Sequence, residues 1–398
     1  MADKIRIALI GCGGIARGHV KRLLEIPEAE IVSLVDTDPN CLASYKENFP
    51  ELKDIPVFSD YRDALGADNL DAVHINTPHT LHFPQIMDSL DRGLHVLTEK
   101  PLVCSVKEAK EVIAAAEKAG KVLLISYQRH YAPDYVYIKN EIEKGTIGQV
   151  TAIAALQGQD WLRGQKGKWR QDPALSGGGQ LNDSGSHLLD IMLWTTGLAI
   201  DKVNAYIDNR GADVDINSAV SIQFTSGAIG TITVIGDQPG WWEDYTVWGT
   251  EGAIFLRNGK VTFWVRGQEP YEPTDLPAGS NPDQNFIDVV LGRDTNKTPA
   301  ICGLRGIELW VELEDAPSGG QVEQLGKTVE LAEVLDVSGD QQDQVIAAHL
   351  DLVDHYAAHL RYLLNKMRAG ATIGQYEINR LGHWGLEAAV LSRQLEVL

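Results

Sequence analysis

The chain of 398 residues lacks any apolar stretch near the roughly 20 residues that a bilayer-spanning helix needs, which excludes a membrane-crossing segment. Its first residues, MADKIRIALIG, have no charged region followed by a long apolar region and a cleavage site, so a cytoplasmic location is expected. Cysteine is scarce: Cys12, Cys41, Cys104 and Cys302 form no CxxC pair and no Cys/His cluster. Reduced thiols and no metal site are therefore expected. Positive charge is also short, with 35 Lys and Arg against 55 Asp and Glu, a net charge of -20. That balance disfavours nucleic acid, whose phosphates require clustered cations. Low-complexity segments and repeats are missing too. What remains, 44% hydrophobic and 23% charged residues, is the composition of a soluble metabolic enzyme, and the length suggests about two domains.

From residue 5 to about residue 126 the apolar runs IRIALIG, IVSLVD, DAVHIN, LHVLTE and KVLLIS alternate with amphipathic stretches. Strand, helix, strand in repetition predicts a parallel sheet, and with a glycine turn at Gly11 to Gly14 after the first strand and an acid, Asp36, after the second, residues 1–126 are read as an NAD-binding Rossmann domain. After Gln149 the runs VTAIAALQ, SAVSIQFTS, AIGTITVIG, DYTVWGT and KVTFWV predict a mostly antiparallel open sheet. Residues 127–315 are read as a substrate-binding and oligomerisation α/β domain, giving an α/β protein of two unlike halves. A helix is expected over about Asp183 to Thr195, preceded by a loop from Trp161 to Gly179 that faces the cofactor. Residues 285–315 predict helix, loop, helix. Residues 316–398 read as a linker and a helical extension, with Leu352, Tyr356, Leu360 and Leu363 at helical spacing, packed on the body or on a partner.

The segment IRIALIGCGGIARGH carries Gly11, Gly13 and Ala16 in a GxGxxA arrangement between a strand and a helix, with Gly14 beside them. Gly11 allows the tight turn, Gly13 lets backbone approach a pyrophosphate, and Ala16 lets the helix pack while its N-terminus faces phosphate. Asp36 ends the second strand, where an acid accepts from adenosine ribose hydroxyls and repels a 2′-phosphate. No Lys or Arg follows in DTDPN, so NAD is expected over NADP. Thr77 and Pro78 follow the strand DAVHIN and would border the nicotinamide side.

Glu99, Lys100 and Pro101 end another strand of the same sheet, at the edge where such sheets bind ligands. Far downstream, SGGGQLNDSGSHLLD puts Asp183 and His187 four residues apart on one helix face. A lysine, an imidazole and a carboxylate could converge on one hydroxyl. Together GCGGIARGH, NTP, TEKP, SYQRH and GGGQLNDSGSH resemble the glucose-fructose oxidoreductase and inositol dehydrogenase family, Gfo/Idh/MocA, over about residues 5 to 315. The resemblance implies that Lys100, Asp183 and His187 are catalytic. His187, with an ordinary pKa of about 6.5, would take the hydroxyl proton. Lys100 would hold the oxygen and Asp183 would orient the substrate, while Glu99 and Lys100 also border the cofactor. Arg129 and His130 match a family position near the domain junction and are candidate substrate contacts.

Trp161 is a candidate stacking surface for a sugar; Trp241 and Trp242 are read as core or subunit contacts. The loop WLRGQKGKWRQD holds Arg163, Lys166, Lys168 and Arg170, of which Arg163 and Lys166 lead as contacts for an anionic substituent. The leading expectation is an NAD-dependent oxidoreductase acting on a secondary alcohol of a sugar, cyclitol or sugar acid. The alternative is a redox glycosidase cleaving an anionic or sulfonated glycoside such as a sulfoquinovoside, with His130, Asp160 or Asp172 as its second base. A dinucleotide-binding sensor without catalysis is disfavoured by the intact Lys, Asp and His set. An open sheet face, and the association of family relatives through it, predict a homodimer or homotetramer.

Overall fold

A computed structural model describes residues 4–67 and 70–314. The expected helical extension over 316–398 lies outside the described residues.

The first half alternates strictly: β1 (Ile5–Ile10), α1 (Ala16–Glu25), β2 (Ala29–Val35), α2 (Pro39–Asn48), β3 (Val57–Phe58), α3 (Tyr61–Leu65), β4 (Ala72–Ile75), α4 (His82–Asp91), β5 (His95–Thr98), α5 (Val106–Ala119) and β6 (Leu123–Ile125). The strands form a parallel sheet in the order β3-β2-β1-β4-β5-β6. Helices cover both faces, so the strands are continuously apolar: Ile7, Leu9, Val73, Ile75, Val96 and Leu97 are all buried. The ends of α5 are set locally. Ser105 Oγ accepts from Glu108 N at 3.2 Å, and Gly120 closes the helix at φ 63°.

The second half contains α6 (Pro133–Glu143), β7 (Val150–Asp160), two single-turn helices α7 (Trp161–Gly164) and α8 (Pro173–Ser176), and α9 (Ser186–Thr196). Strands β8 (Ile200–Asp208), β9 (Asn217–Phe224), β10 (Ile229–Ile235), β11 (Asp237–Gly249), β12 (Gly252–Arg257) and β13 (Lys260–Val265) follow. They form a sheet in the order β13-β12-β11-β7-β10-β9-β8, antiparallel except between β7 and β10. One face is closed by α6 and α9, whose Ile138, Leu188, Ile191 and Met192 share a core with Val220, Ile232, Tyr245 and Val247. Tyr206, Ile229, Trp248 and Trp264 are exposed on this sheet, as are Trp241 and Trp242.

The chain then returns. In α10 (Pro282–Val290), Phe286 and Ile287 join the core around Leu9 and Leu97, and in α11 (Ala300–Glu314) Leu304 and Ile307 pack with Val103 and Val112 of the first sheet's layer. The helix expected from Asp183 is preceded by a wider turn, Leu181–Gly185, of π type. Asp215 accounts for part of this: its carboxylate accepts from Gly179 N and Leu181 N, each at 2.7 Å, donors that an ordinary helix start would leave free. A Cβ on Gly179 would stand 2.3 Å from Asp215 O, which is why glycine occupies this point of the GGG run. No helix among the described residues is long and apolar enough to cross a membrane.

Candidate active site

The crevice begins where β1 ends. Gly11 has φ +89°, and a Cβ there would meet Asn76 O at 2.7 Å, so only glycine allows the turn this close to the end of β4. Gly13 and Gly14 have nothing within 4 Å of a Cβ position, leaving their backbone accessible, and Ala16 is fully buried where α1 starts. Asp36 is fixed beside this loop: Oδ2 accepts from Cys12 N at 2.8 Å and Oδ1 from Asp38 N at 2.8 Å. A carboxylate has about four acceptor sites, so lone pairs remain for ribose hydroxyls. Among the described residues the open glycine backbone, the helix start and the acid fit a dinucleotide, with Gly11, Gly13, Gly14, Ala16 and Asp36 as the residues that would hold it. Thr77 Oγ1 donates to Gln85 Oε1 at 2.6 Å, and Pro78 opens the next turn. The His82 ring joins this loop to the one after β5, lying 3.0 Å from Thr77 O and 2.8 Å from Pro101 O.

Lys100, just past β5, reaches across to the π turn. Its Nζ donates to Asp183 Oδ1 at 2.5 Å and to Asp183 O at 2.8 Å, which leaves one of three ammonium hydrogens uncommitted. The other Asp183 oxygen accepts from Arg170 Nε at 2.8 Å and Trp161 Nε1 at 3.2 Å. His79 Nε2 lies 3.6 Å from Oδ1, its ring fixed by Nδ1 donating to Ser176 O at 2.9 Å. Burial opposes ionisation of Asp183, but Lys100, the nearby His79 and Arg170 outweigh it and hold the carboxyl well below the usual range. Asp183 is thus a permanent anion.

His187 follows one turn later, edge-on to Tyr127 with ring centroids 5.9 Å apart. Its Nδ1 is buried without a hydrogen-bond partner. Burial first, then the charges of Arg129 and Lys100, press its pKa well below the ordinary value, so the imidazole is neutral at neutral pH.

Several expected contacts are placed elsewhere. Arg129 forks onto Glu243, with Nε donating to Oε1 at 3.0 Å and Nη2 to Oε2, and Tyr135 OH donates to the same carboxylate. It thus acts on His187 by charge. His130 is buried with both nitrogens engaged, by Lys297 O at 2.9 Å and Asp190 Oδ2 at 2.8 Å, under Trp194. Trp161 is not an open stacking surface: it is 3% exposed and packs on Val214 and Ile216. Its placement follows from apolar burial with the indole N–H satisfied by Asp183.

The ranking of the basic loop also reverses. The Arg163 side chain is 71% exposed and lies 3.6 Å from Asp160, and Lys166 is exposed, whereas Arg170 turns inward, its guanidinium 4.3 Å from the Trp169 ring. The reason is the fold-back made by α8, where Asp172 caps through Ala174 N at 3.0 Å and brings Ser176 O to His79. Of the second-base candidates, His130 is engaged, Asp160 faces Arg163 and Asp172 is this cap. His79 and Trp169 also belong to the site, and the position of His79 in NTPHTLH, just after a cofactor strand, is its signal in the sequence.

Two unlike α/β layers, a glycine-loop crevice and a lysine bonded to a carboxylate at its rim define an NAD-binding Rossmann oxidoreductase. Residues 5–127 match the oxidoreductase family with an NAD-binding Rossmann fold, and residues 135–255 match the GFO/IDH/MocA C-terminal domain. The chain belongs to the Gfo/Idh/MocA family, and its N-terminal domain is of the NAD-binding Rossmann type. It is 27% identical over 275 residues to the uncharacterized oxidoreductase YrbE of Bacillus subtilis (strain 168), covering 66% of this chain and 76% of that protein. It is 28% identical over 211 residues to the D-glucoside 3-dehydrogenase of Escherichia coli (strain K12), covering 52% and 58%. The chain spans little more than half the length of several relatives. Among solved structures, the WlbA dehydrogenase from Bordetella pertussis in complex with NADH and UDP-GlcNAcA has a TM-score of 0.71 at 23% identity, covering 81% of this chain and 98% of that one. Levoglucosan dehydrogenase in complex with NADH and levoglucosan has 0.70 at 19%, covering 81% and 100%. Both are likenesses of fold.

Proposed function

We propose that this protein oxidises or forms a secondary alcohol of a sugar, cyclitol or sugar acid at the rim occupied by Lys100, Asp183 and His187. The observation that carries the reading is the contact of Lys100 Nζ with Asp183 Oδ1, 2.5 Å, one turn before a neutral His187. When bound, NAD supplies the hydride acceptor. In the oxidative direction His187 takes the hydroxyl proton, which a neutral imidazole can do and an imidazolium cannot. Lys100 donates its remaining hydrogen to the same oxygen and stabilises the negative charge that develops there. Asp183 keeps Lys100 and Arg170 in place, and its permanent charge bars it from acting as the acid. The sugar class is carried over from the names of relatives, a D-glucoside 3-dehydrogenase and a 1,5-anhydro-D-fructose reductase.

The test is a screen of neutral and anionic sugars, cyclitols and glycosides with the purified protein and NAD, following NADH absorbance and released aglycone together. NADH accumulation on at least one polyol is expected. Aglycone release without net NADH would replace the dehydrogenase reading with that of a redox glycosidase.

A further inference from the structure

At the carboxyl end of β4 the side-chain oxygen of Asn76 is buried and has no hydrogen-bond partner, in a residue 8% exposed. The bonds behind it dictate which end of the amide is left free. Asp283 on α10 is fully buried, with Oδ1 2.8 Å from His19 Nδ1 and 3.0 Å from His74 Nε2, and Oδ2 2.5 Å from Arg22 Nε. An ionised carboxylate only accepts, so His74 carries its proton on Nε2. Burial, and then the charge on His19, keeps His74 neutral, which leaves a bare lone pair on Nδ1. Asn76 Nδ2 stands 3.1 Å from that lone pair and 3.4 Å from His74 O, a second acceptor. Both contacts require the amide NH₂, so the free end is the carbonyl oxygen.

This oxygen belongs to a residue packed against the cofactor turn: Asn76 N donates to Ile10 O at 2.7 Å, and Asn76 O borders the missing Cβ of Gly11. Asp36 stands beyond β2 and Asn76 beyond β4, on opposite sides of β1. Dinucleotides lie across such a switch point, with adenosine on the side of the acid. We propose that Asn76 Oδ1 is a fixed acceptor for the nicotinamide-riboside half of NAD, taking an O–H of its ribose or an N–H of its carboxamide. The histidine tautomer, set by Asp283, fixes which end of the amide faces His74 and which is left to a ligand.

The inference rests on NAD binding at the Gly11 loop, which ADP binding reports separately. Calorimetric affinities of the full chain for NADH, ADP-ribose and ADP are compared between wild type and Asn76→Ala, with Asn76→Ser as second variant should alanine fail to fold. NADH binding is expected to weaken roughly tenfold, the effect of leaving one hydrogen bond unmade, with ADP unchanged. ADP-ribose weakening alongside NADH assigns the bond to the ribose; ADP-ribose unchanged assigns it to the carboxamide. Unchanged NADH affinity, or equal loss for ADP, overturns the proposal. His74→Phe should also weaken NADH but not ADP, by freeing the amide to rotate, and an unaltered NADH affinity there refutes the tautomer argument. A wild type that binds neither NADH nor ADP refutes the cofactor site itself.

Discussion

Replacing His19 by alanine tests the charge network beneath the site. His19 is fully buried between two carboxylates, with Nδ1 2.8 Å from Asp283 Oδ1 and Nε2 3.0 Å from Glu99 Oε1. Arg22 Nη2 also stands 2.9 Å from Nδ1, but a buried carboxylate on each ring nitrogen favours the form that carries both protons. Burial pulls its pKa down, but the bonds from Asp283 and Glu99 reverse this and raise it from 6.5 to about 9. That rise corresponds to about 3 kcal/mol of stability. Removing one member of a buried ionic group costs about 3–5 kcal/mol on general grounds, so the two figures agree in scale. The sign follows from a folded pKa above the unfolded one: the contribution is complete below pH 6.5 and is lost as pH rises to and through about 9. Glu99 is opposite, held down to about 2 against the penalty of burial by His19 and Lys100, so its share is lost only as pH falls from 4.5 through about 2. Chemical denaturation of wild type and His19→Ala at steps from pH 6 to pH 10 should show a gap that narrows by about 3 kcal/mol from the acid to the alkaline end, over a constant cost of the cavity left by the buried ring. Curves that stay parallel over this range would refute a charged His19.

Lys100→Ala and His187→Ala should each lose at least about a hundredfold in turnover while keeping NADH affinity; near-normal turnover in either removes that residue from the mechanism. Because His187 titrates well below its ordinary value, kcat/KM in the oxidative direction should stay level from pH 8 down to pH 6.5, and a fall within that span would assign the base elsewhere. Asp36→Ala should narrow a preference for NAD over NADP measured by equilibrium binding, and equal wild-type affinities would contradict the role of that acid. Trp248→Glu with Trp264→Glu should dissociate an oligomer built on the open sheet, whereas a wild type that sediments as a monomer at micromolar concentration would dispose of that interface.

The parallel layer was legible because its signals are local: apolar runs at strand length, a glycine turn between strand and helix, and Asp36 at a strand end all lie within one supersecondary unit. Lys100, Asp183 and His187 were legible as a pattern of residue types, and the sequence resemblance joined segments 83 residues apart, as the Lys100–Asp183 bond does in space. The basic loop shows where this stops. Arg163, Lys166 and Arg170 are indistinguishable as charges along the chain, and only the fold-back at Asp172 turns Arg170 toward Asp183 while leaving the others at the surface. Trp161 likewise reads as a possible platform, and burial against Val214 and Ile216 decides otherwise. The bond from His19 to Asp283 spans 264 residues and depends on α10 returning to the first sheet, a choice made by the packing of Phe286 and Ile287 rather than by any periodicity. Local chemistry therefore determined which elements form and which residue types can react, and tertiary packing decided which charges face one another, because pairing energies depend on distance and burial that sequence order does not encode.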